Sequence, residues 1–533
     1  MKKTWTWLLS IALVVTVLGA CTNGGGGGES SSGTDAENGG ETTGEKRKVK
    51  LIVSGNVQEF PEGLTKDDNF IIDYWKEKSG FDIEFEILPL EGADEKLNAM
   101  LVSGEANGII IRGGTEWLAN LVNQDALLPL DDYLKGTSLE TLHSEIQSAS
   151  RIDGKQYSIV FPEAIALQSP SYIVRKDWLL ESGMTDQPKT FDEFNQMLQA
   201  FKARGDGVVP LGVFGSPHGG TDGSQLSGAF SPIKGMFGIP TEFALRDGEV
   251  VYTPILPEAK EYLAYTAQLY KDGMIAKDFA MLDAQKTQEM FIGGKMGLFL
   301  LEYPWASKTI IPAVAGTGGD ARFMDFPTGV NGQPSYSKAY YPVSSNVAIG
   351  KDTKDVEAHI EFIEFLLKPE TQQITNYGIE GQHYSKEGDK IVPTEEGKNI
   401  AWSVYYKPLA SPDEWYQMYG VMADWAEYYY PTERNASREN VDPVYFMPPQ
   451  PELVAKRVQL NTKVDTYYTD VVTGKQSLDS FDAFAQDWLN SGGQEILDGY
   501  NKLYQELGSP KFEYKEFPPG ELYTGKYLFD GKK

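Results

Sequence analysis

Few side chains in this chain are of the kinds that perform covalent or metal chemistry. It contains one cysteine, Cys21, and four histidines. One thiol cannot form an intrachain disulfide or supply a cysteine-based zinc site. The histidines show no i,i+4 pair that would place two imidazoles on one helix face; they are His143, His218, His359 and His383. The sequence therefore predicts neither a metal site nor a cofactor.

Motifs for nucleotide binding and hydrolysis are absent or incomplete. Residues 316–321 fit the pattern G-x-G-x-x-A, but dinucleotide binding requires a helix next, and the segment that follows runs into Pro327. The sequence has no P-loop and no G-x-S-x-G motif. A pair of carboxylates for glycoside cleavage stays open as an alternative, since 76 Asp and Glu residues are available.

The charge balance argues against nucleic acid as a partner. The chain carries 48 Lys and Arg against 76 Asp and Glu, a net charge of -28. The negative electrostatic field of such a chain repels nucleic acids and anionic lipid head groups. The acidity is spread along the sequence, which is typical of a solvated surface. A chain of 533 residues is too long to fold around one small hydrophobic core, so two lobes or domains are expected.

The first twenty residues are predicted to be a signal peptide. Lys2 and Lys3 precede an uncharged, mainly apolar segment, Trp5–Leu18. That segment falls short of the roughly 20 residues that a transmembrane helix needs. Leu18-Gly19-Ala20-Cys21 resembles the lipobox of bacterial lipoproteins, which implies cleavage before Cys21 and a diacylglycerol on its thiol. The alternative is an ordinary signal peptide that happens to contain a cysteine.

Residues 21–47 are predicted to be a lipid-anchored, disordered linker. Between positions 22 and 47 there is no aromatic residue and no aliphatic residue larger than Ala36. Such a segment cannot bury enough apolar surface to fold. As a flexible coil it would span roughly 25–30 Å. No later stretch holds 18 uninterrupted apolar residues, so no transmembrane helix is predicted.

The folded part begins with a β-α-β-α-β pattern. Strands are predicted at 48–55, 81–88 and 108–112, with a helix before Gly80 and another before Gly104. The first helix is predicted to start within Thr65–Asp68, whose acids suit a helix amino terminus. This order favours a mostly parallel sheet, and ligands of such sheets bind beyond the carboxyl ends of the strands. The loops after Ser54 and Arg112 are therefore the first candidate positions.

Further helices are marked by their ends. Thr190 and Glu193 form a predicted capping box, and Pro257 opens a helix that ends at Gly273. Asp355–Leu367 is amphipathic, and two more helices are predicted near the carboxyl terminus, around 481–489 and 496–504. The tail 509–533 is rich in Pro, Gly and Lys and is not assigned to an element.

Four stretches, together with the amino-terminal motif, resemble the family-1 extracellular solute-binding proteins of ABC transporters, the type that serves sugar and oligosaccharide importers. They occur in the family's order: GGTEWLANLVNQDALLPLDDYL (113–134), YIVRKDWLLESGMTDQPKTFDEF (172–194), FIGGKMGLFLLEYPW (291–305) and NYGIEGQHY (376–384). The resemblance implies an α/β, two-lobe periplasmic-binding-protein-like fold, type II-like, with a hinge and an inter-lobe ligand cleft.

The same resemblance implies a division of the chain and a set of partners. Lobe 1 is expected at about 48–165 plus about 320–370, and lobe 2 at about 166–319 plus about 371–508. The expected partners are a carbohydrate, the permease subunits and, through Cys21, the outer face of the bacterial cell membrane, with the protein a monomer. Many long relatives carry an acidic calcium-binding loop, but residues 201–212 lack that run of acids, so calcium is not predicted.

A sugar site needs flat aromatic rings over the C–H faces and polar groups at the hydroxyl rim. Trp117, Trp305 and one of Tyr340 and Tyr341 are expected to supply rings, each with core packing as its alternative. Trp178 is a further candidate, although packing at a helix start is the stronger interpretation. The expected rim groups are Asn56, Glu116 and Glu380, where Glu116 could instead favour its helix terminus and Glu380 could be structural only.

Two other functions remain open from the sequence. A surface-anchored glycoside hydrolase or lyase acting on polysaccharide would also use an aromatic cleft, with two carboxylates about 5–10 Å apart. A peptide receptor or a sensor-coupled receptor on the same fold is the third alternative. Neither the sugar nor its length and charge follow from the residues. An acidic sugar would need cations such as Arg112, Arg175 or Lys338.

Overall fold

The computed structural model describes residues 46–54, 60–89, 92–114, 116–144, 146–162, 170–214, 230–302, 306–335, 343–387, 390–407, 409 and 443–507. Five predicted functional residues lie outside the described residues: Cys21, Asn56, Trp305, Tyr340 and Tyr341. None of the described helices is both long enough and apolar enough to cross a membrane.

The described residues form a mixed α/β structure. The strands are β1 (Lys48–Ser54), β2 (Asp82–Leu88), β3 (Ile109–Arg112), β4 (Arg151–Ile152), β5 (Lys155–Gln156), β6 (Ser158–Pro162), β7 (Pro170–Arg175), β8 (Val209–Gly212), β9 (Phe243–Arg246), β10 (Glu249–Tyr252), β11 (Met296–Glu302), β12 (Ala321–Met324), β13 (Val343–Ile349), β14 (Tyr384–Glu387) and β15 (Lys390–Pro393).

The helices lie between these strands and at the carboxyl end. They are α1 (Phe70–Ser79), α2 (Ala93–Ser103), α3 (Glu116–Asn123), α4 (Asp131–Leu134), α5 (Lys176–Glu181), α6 (Phe191–Lys202), α7 (Ser231–Met236), α8 (Pro257–Lys271), α9 (Ala284–Ile292), α10 (Ile311–Gly316), α11 (Val356–Leu366), α12 (Pro369–Tyr377), α13 (Pro451–Val472), α14 (Phe481–Trp488) and α15 (Gln494–Leu507).

The first large sheet has the strand order β2-β1-β3-β13-β6. The predicted β-α-β-α-β start is confirmed, because β1 pairs in parallel with both β2 and β3. Strand β13 then pairs antiparallel with β3 and with β6, although it follows them by many residues in sequence. Both faces of this sheet are buried, since Leu51 and Val53 lie in one hydrophobic cluster and Ile52 in another.

The first helix begins later than predicted. It starts at Phe70, and the side chain of Asn69 accepts hydrogen bonds from the backbone N–H groups of Ile71 and Ile72. Thr65–Asp68 forms a turn ahead of it, closed by Thr65 N to Asp68 O and its reciprocal bond. The prediction was wrong because acidic residues in a turn give the same signal as acids in a first helical turn.

The second large sheet has the order β12-β7-β11-β8, in which only β11 and β8 are parallel. Its core is a separate cluster that includes Tyr172, Leu211 and Leu300 from the strands. The capping box of α6 is confirmed: the Thr190 side chain accepts from Glu193 N, and the Glu193 carboxylate accepts from Thr190 N. Two sheets with separate cores make two α/β lobes.

The lobe limits differ from those expected at two places. Strand β12 pairs with β7, which puts residues 321–324 in the second sheet and not in the first lobe. Beyond residue 370, Trp402, Tyr405 and Tyr406 are buried in the core of the first sheet. Both differences arise from pairing between segments far apart in sequence, which a short strand or an aromatic run does not reveal by itself.

The chain enters the first lobe at an ion-pair cluster. The guanidinium of Arg47 donates from Nε and Nη2 to the two carboxylate oxygens of Asp355, each at 2.8 Å, and from Nη1 to Glu361 at 2.7 Å. These bonds lower the pKa of Asp355 to about 2. Asp355 also caps α11, since its Oδ1 accepts from Ala358 N at 3.2 Å. The cluster fixes the start of β1 to the start of α11.

One helix joins the two cores. Val454, in the first turn of α13, lies in the cluster that holds Leu118 of α3. Leu460, Val464 and Tyr468, further along the same helix, lie in the core of the second lobe. The helix therefore contributes apolar side chains to both lobes.

Shortening Val454 to alanine is expected to lower the free energy of unfolding by about 2 kcal/mol, because two buried carbons are lost and a cavity remains. Val458→Ala is the matched control, since Val454 is 5% exposed and Val458, one turn later, is 58% exposed. Urea midpoints of the two variants would measure the difference. Equal midpoints would show that Val454 does not tie α13 to the first lobe.

Candidate functional site

The carboxyl end of β3 is the described part of the expected ligand site. Strand β3 ends at Arg112, Gly113 and Gly114 turn the chain, and α3 begins at Glu116. Gly114 has a φ of 71°, in the left-handed region that glycine adopts without strain. The companion loop after β1 includes Asn56, which is outside the described residues. The position of Glu116 is described as the first residue of α3.

Trp117 is anchored by both its ring edge and its ring face. Its indole Nε1 donates to the carbonyl oxygen of Gly114 at 3.1 Å. The guanidinium carbon of Arg112 lies 5.6 Å from the ring centre, a cation–π arrangement, and Arg112 also pairs with Asp94. The ring is 7% exposed and belongs to the cluster that contains Val454. Contact between Trp117 and a ligand stays a prediction, and in this structure the ring fixes the turn before its helix.

A buried polar chain behind this turn was not anticipated from the sequence. Asn346 of β13 is fully buried, donates from Nδ2 to Gly114 O at 2.5 Å, and accepts from Ser158 Oγ at 2.7 Å. The chain continues through Gln156, whose Nε2 donates to Ser158 O at 3.1 Å and to Gln147 Oε1 at 3.2 Å. The only sequence signal was polar residues within a strand segment that is otherwise apolar.

The structure places Trp178 in the core of the second lobe. Its ring is 3% exposed, meets Phe201 edge-on at 5.5 Å, and lies under the guanidinium groups of Arg175 and Arg204 at 5.1 and 4.4 Å. Strand β7, which leads to it, runs antiparallel to β11. Trp178 therefore lies beyond the amino end of β11, packed at the start of its helix as the alternative interpretation expected, and a ligand contact by Trp178 stays a prediction.

Glu380 lies in an exposed turn between α12 and β14. Its carboxylate pairs with Lys386 at 3.0 Å and accepts from the Tyr384 hydroxyl at 3.5 Å. The turn is held from within by His383, whose Nδ1 accepts from Ile379 N at 2.9 Å. A ligand contact by Glu380 stays a prediction, and its described contacts are with its own hairpin.

His383 also ties this turn to α1. Its ring stacks on Phe70 with centres 4.5 Å apart and is 3% exposed. Gly378 has a φ of 79°, and a Cβ there would lie 2.6 Å from His383 Nδ1, so this position requires glycine. Burial lowers the pKa of His383, while Glu396, 3.7 Å from Nε2, opposes that effect. The neutral imidazole, with Nδ1 free of a proton, is the form that this packing holds.

The described part of the chain has no side-chain cluster of the kind that binds a metal ion. Within that part, no group of three His, Cys, Asp or Glu side chains could hold a metal ion. The buried polar groups near Gly114 are amides and a hydroxyl, which bind and orient but do not transfer protons at neutral pH. This end of the first sheet can offer hydrogen-bonding groups and the edge of an aromatic ring to a ligand.

Comparison with known proteins gives a family match and full-length relatives. The model of the family described as bacterial extracellular solute-binding protein matches residues 57–373. The chain is 24% identical over 533 residues to Lipoprotein LipO of Bacillus subtilis (strain 168), covering 95% of this chain and 99% of LipO. It is 22% identical over 523 residues to the polygalacturonan/rhamnogalacturonan-binding protein YtcQ of the same organism, covering 94% and 99%.

The fold is shared with solved solute-binding proteins. An HMO-binding, ABC-transporter-associated solute-binding protein from Bifidobacterium longum infantis superposes with a TM-score of 0.67 at 17% identity. The match covers 87% of this chain and 99% of that chain. At this identity the likeness shows the fold, and the expected α/β, two-lobe periplasmic-binding-protein-like architecture is confirmed.

We expect stability to fall as the pH drops from about 7.5 to about 5.5. Burial lowers the pKa of His359 and of His383 below the ordinary 6.5, so the unfolded chain takes up protons at these groups before the folded chain does. The contribution of the neutral rings is complete above pH 6.5 and is lost as the pH falls towards the folded-state values. Urea midpoints at the two pH values would measure the loss.

The variant pair His359→Gln and His383→Asn isolates this effect. Each keeps an acceptor where the ring had one, towards Lys50 N (3.3 Å) and Ile379 N (2.9 Å), but neither titrates. The double variant should show a smaller pH dependence of the urea midpoint than the parent. An unchanged pH dependence in the double variant would contradict the assignment.

Proposed function

Because the chain belongs to the bacterial extracellular solute-binding protein family, we propose that it is the lipid-anchored substrate-binding component of an ABC importer. It binds a carbohydrate, an oligosaccharide, in the cleft between its two lobes and delivers it unchanged to the permease. The observation that carries the proposal is the pair of separate α/β cores joined by α13, in a chain that matches YtcQ almost end to end.

The carbohydrate class is supported by the names of similar proteins. YtcQ is named a polygalacturonan/rhamnogalacturonan-binding protein, and the structurally similar bifidobacterial protein is described as HMO-binding. Both names describe polymers or oligomers of sugars, and a family match alone would leave the solute class open. An oligosaccharide is therefore the first ligand class to test.

The proposed binding residues come from the ends of the sheet strands and from the segments between lobes. In the first lobe, the turn at Gly114 and the ring edge of Trp117 lie at the carboxyl end of β3. The remaining members of the proposed set are Asn56, Glu116, Trp178, Trp305, Tyr340, Tyr341 and Glu380, of which Trp178 has the most described core packing. Closure of the lobes around the sugar follows from its higher affinity for the closed form.

Arg112 is the cation in the described part of this site that an acidic sugar would meet. Its side chain lies between Asp94 and the ring of Trp117. Arg175, by contrast, pairs with Asp177 at 2.9 Å beside Trp178, far from the carboxyl end of β11. A ligand carboxylate can replace Asp94 as the partner of Arg112, whereas a neutral sugar would leave that pair intact.

We expect an oligosaccharide to raise the melting temperature of the protein and to be recovered intact. The panel comprises trigalacturonate, rhamnogalacturonan fragments, alginate trimers and kestose, and binding to the folded state alone raises the midpoint with ligand concentration. Chromatography of the sugar after incubation is the second readout. Cleavage products would favour the glycoside hydrolase or lyase alternative, and a panel without any midpoint shift would count against a carbohydrate ligand.

Replacing Cys21 by serine is expected to abolish membrane association. A serine hydroxyl does not take the diacylglycerol, and without two acyl chains stable anchoring is lost. Detergent-phase partitioning and incorporation of labelled palmitate measure the anchor, with Thr22→Ser as the matched neighbouring control. A Cys21→Ser chain that still enters the detergent phase and still takes up palmitate would refute lipidation at this residue.

A further inference from the structure

The carbonyl oxygen of Gly114 accepts two hydrogen bonds from different elements. One comes from the indole N–H of Trp117 at 3.1 Å and the other from the side-chain amide of Asn346 at 2.5 Å. A carbonyl oxygen has two lone pairs, so both acceptor sites are used. This single atom therefore joins the turn after β3, the helix α3 and the strand β13.

The orientation of the Asn346 amide is fixed by chemistry. A carbonyl oxygen can only accept, so Nδ2 must face Gly114, and Oδ1 then faces the Ser158 hydroxyl, which donates at 2.7 Å. Both Asn346 and Ser158 are fully buried, where a hydrogen bond is stronger than in water and an unmade one is costly. The amide thus acts as a rigid spacer between β6 and the turn.

Two described side chains bond to the turn at Gly114, the Trp117 indole from α3 and the Asn346 amide from β13. Gly114 has a positive φ and no side chain, so it offers no packing of its own. Asn346 lies directly opposite Arg112 in the β13–β3 pairing, at the last residue of β3. Its amide therefore forms its hydrogen bond at the point where β3 ends and the turn leading to Trp117 begins.

We propose that Asn346 is a positioning residue of the ligand site: through the Gly114 carbonyl it holds the β3–α3 turn and the Trp117 indole in the orientation that binds sugar. Asn346 itself does not touch the ligand. This inference rests on the proposed function, because the turn matters only if the carboxyl end of β3 faces the sugar.

The test replaces the amide while sparing the fold. Asn346→Leu keeps the size and removes the bond to Gly114, but it leaves the Ser158 hydroxyl unpaired. The double variant Asn346→Leu with Ser158→Ala removes both partners of the Ser158–Asn346 bond, which in a buried pair is close to neutral for stability, and the Gly114 carbonyl keeps its bond from Trp117. Gln187→Leu is the matched control: Gln187 is a buried amide of the second lobe that bridges to Asp325 at 2.8 Å.

Two measurements are made on the full lipidated chain in detergent micelles. The first is the fluorine resonance of Trp117 in 5-fluorotryptophan-labelled protein, identified by its loss in Trp117→Phe. The second is the dissociation constant for trigalacturonate and for kestose. In the double variant the Trp117 resonance should shift or broaden and the affinity for the bound sugar should fall about tenfold, the scale of one lost buried hydrogen bond.

Each outcome supports or contradicts the positioning role of Asn346. An unchanged Trp117 resonance in a folded double variant overturns the positioning role. A changed resonance with unchanged affinity overturns the link to the ligand site, as does an equal loss of affinity in Gln187→Leu. If the parent chain binds neither sugar, the carbohydrate function fails for these probes, while the fluorine resonance still decides whether Asn346 positions the indole.

Discussion

Helix α13 belongs to both hydrophobic cores, and this shared membership constrains the whole molecule. Val454 lies with the α3 side chains of the first lobe, whereas Val464 and Tyr468 lie in the second. At 1.5 Å per residue, Val454 and Val464 are about 15 Å apart along the axis. The second-lobe end is further fixed by hydrogen bonds from Tyr252 to Asn461 and from Tyr468 to Pro254. The amino-terminal turn of α13 is therefore held by the first lobe and the rest of the helix by the second.

That amino-terminal turn is close to the candidate site. Val454 and Trp117 belong to the same cluster, and Trp117 is bonded to Gly114 at the end of β3. The inter-lobe helix, the indole and the turn thus form one continuous set of contacts. The turn after β3 and the amino-terminal turn of α13 are therefore packed into the same core.

Local patterns predicted the regular elements of the fold well. Strand β2 was visible because Phe81, Ile83 and Phe85 alternate with polar residues, and α6 was visible because Thr190 and Glu193 form a capping box. Pairings between distant segments were not visible. The short strand Ala321–Met324 carries no sign that it pairs with β7, and Trp402 carries no sign that it packs on the first lobe.

The candidate site was predictable in position more than in detail. The parallel strands at the start of the first sheet indicated the turn after β3 as a ligand-binding position. An aromatic residue early in a helix, however, gives the same sequence pattern whether its ring faces a ligand or the core. Trp117 and Trp178 illustrate this ambiguity, because each is buried in the structure beside an arginine and apolar side chains. Asn346 was missed because polar residues in a strand are typical of a solvent-facing position, and only the pairing of β13 between β3 and β6 shows that the strand is internal.

The ion-pair cluster at Arg47 determines how the body responds to mechanical load. Strand β1 is paired along its whole length with β2 and over residues 51–53 with β3, and the residue before it is joined to the start of α11 by the Arg47–Asp355 pair. A pull on the chain ahead of Arg47 acts along β1, so the rows of backbone bonds on both sides share the force instead of opening one after another. Tension on that segment therefore enters the protein through the first lobe.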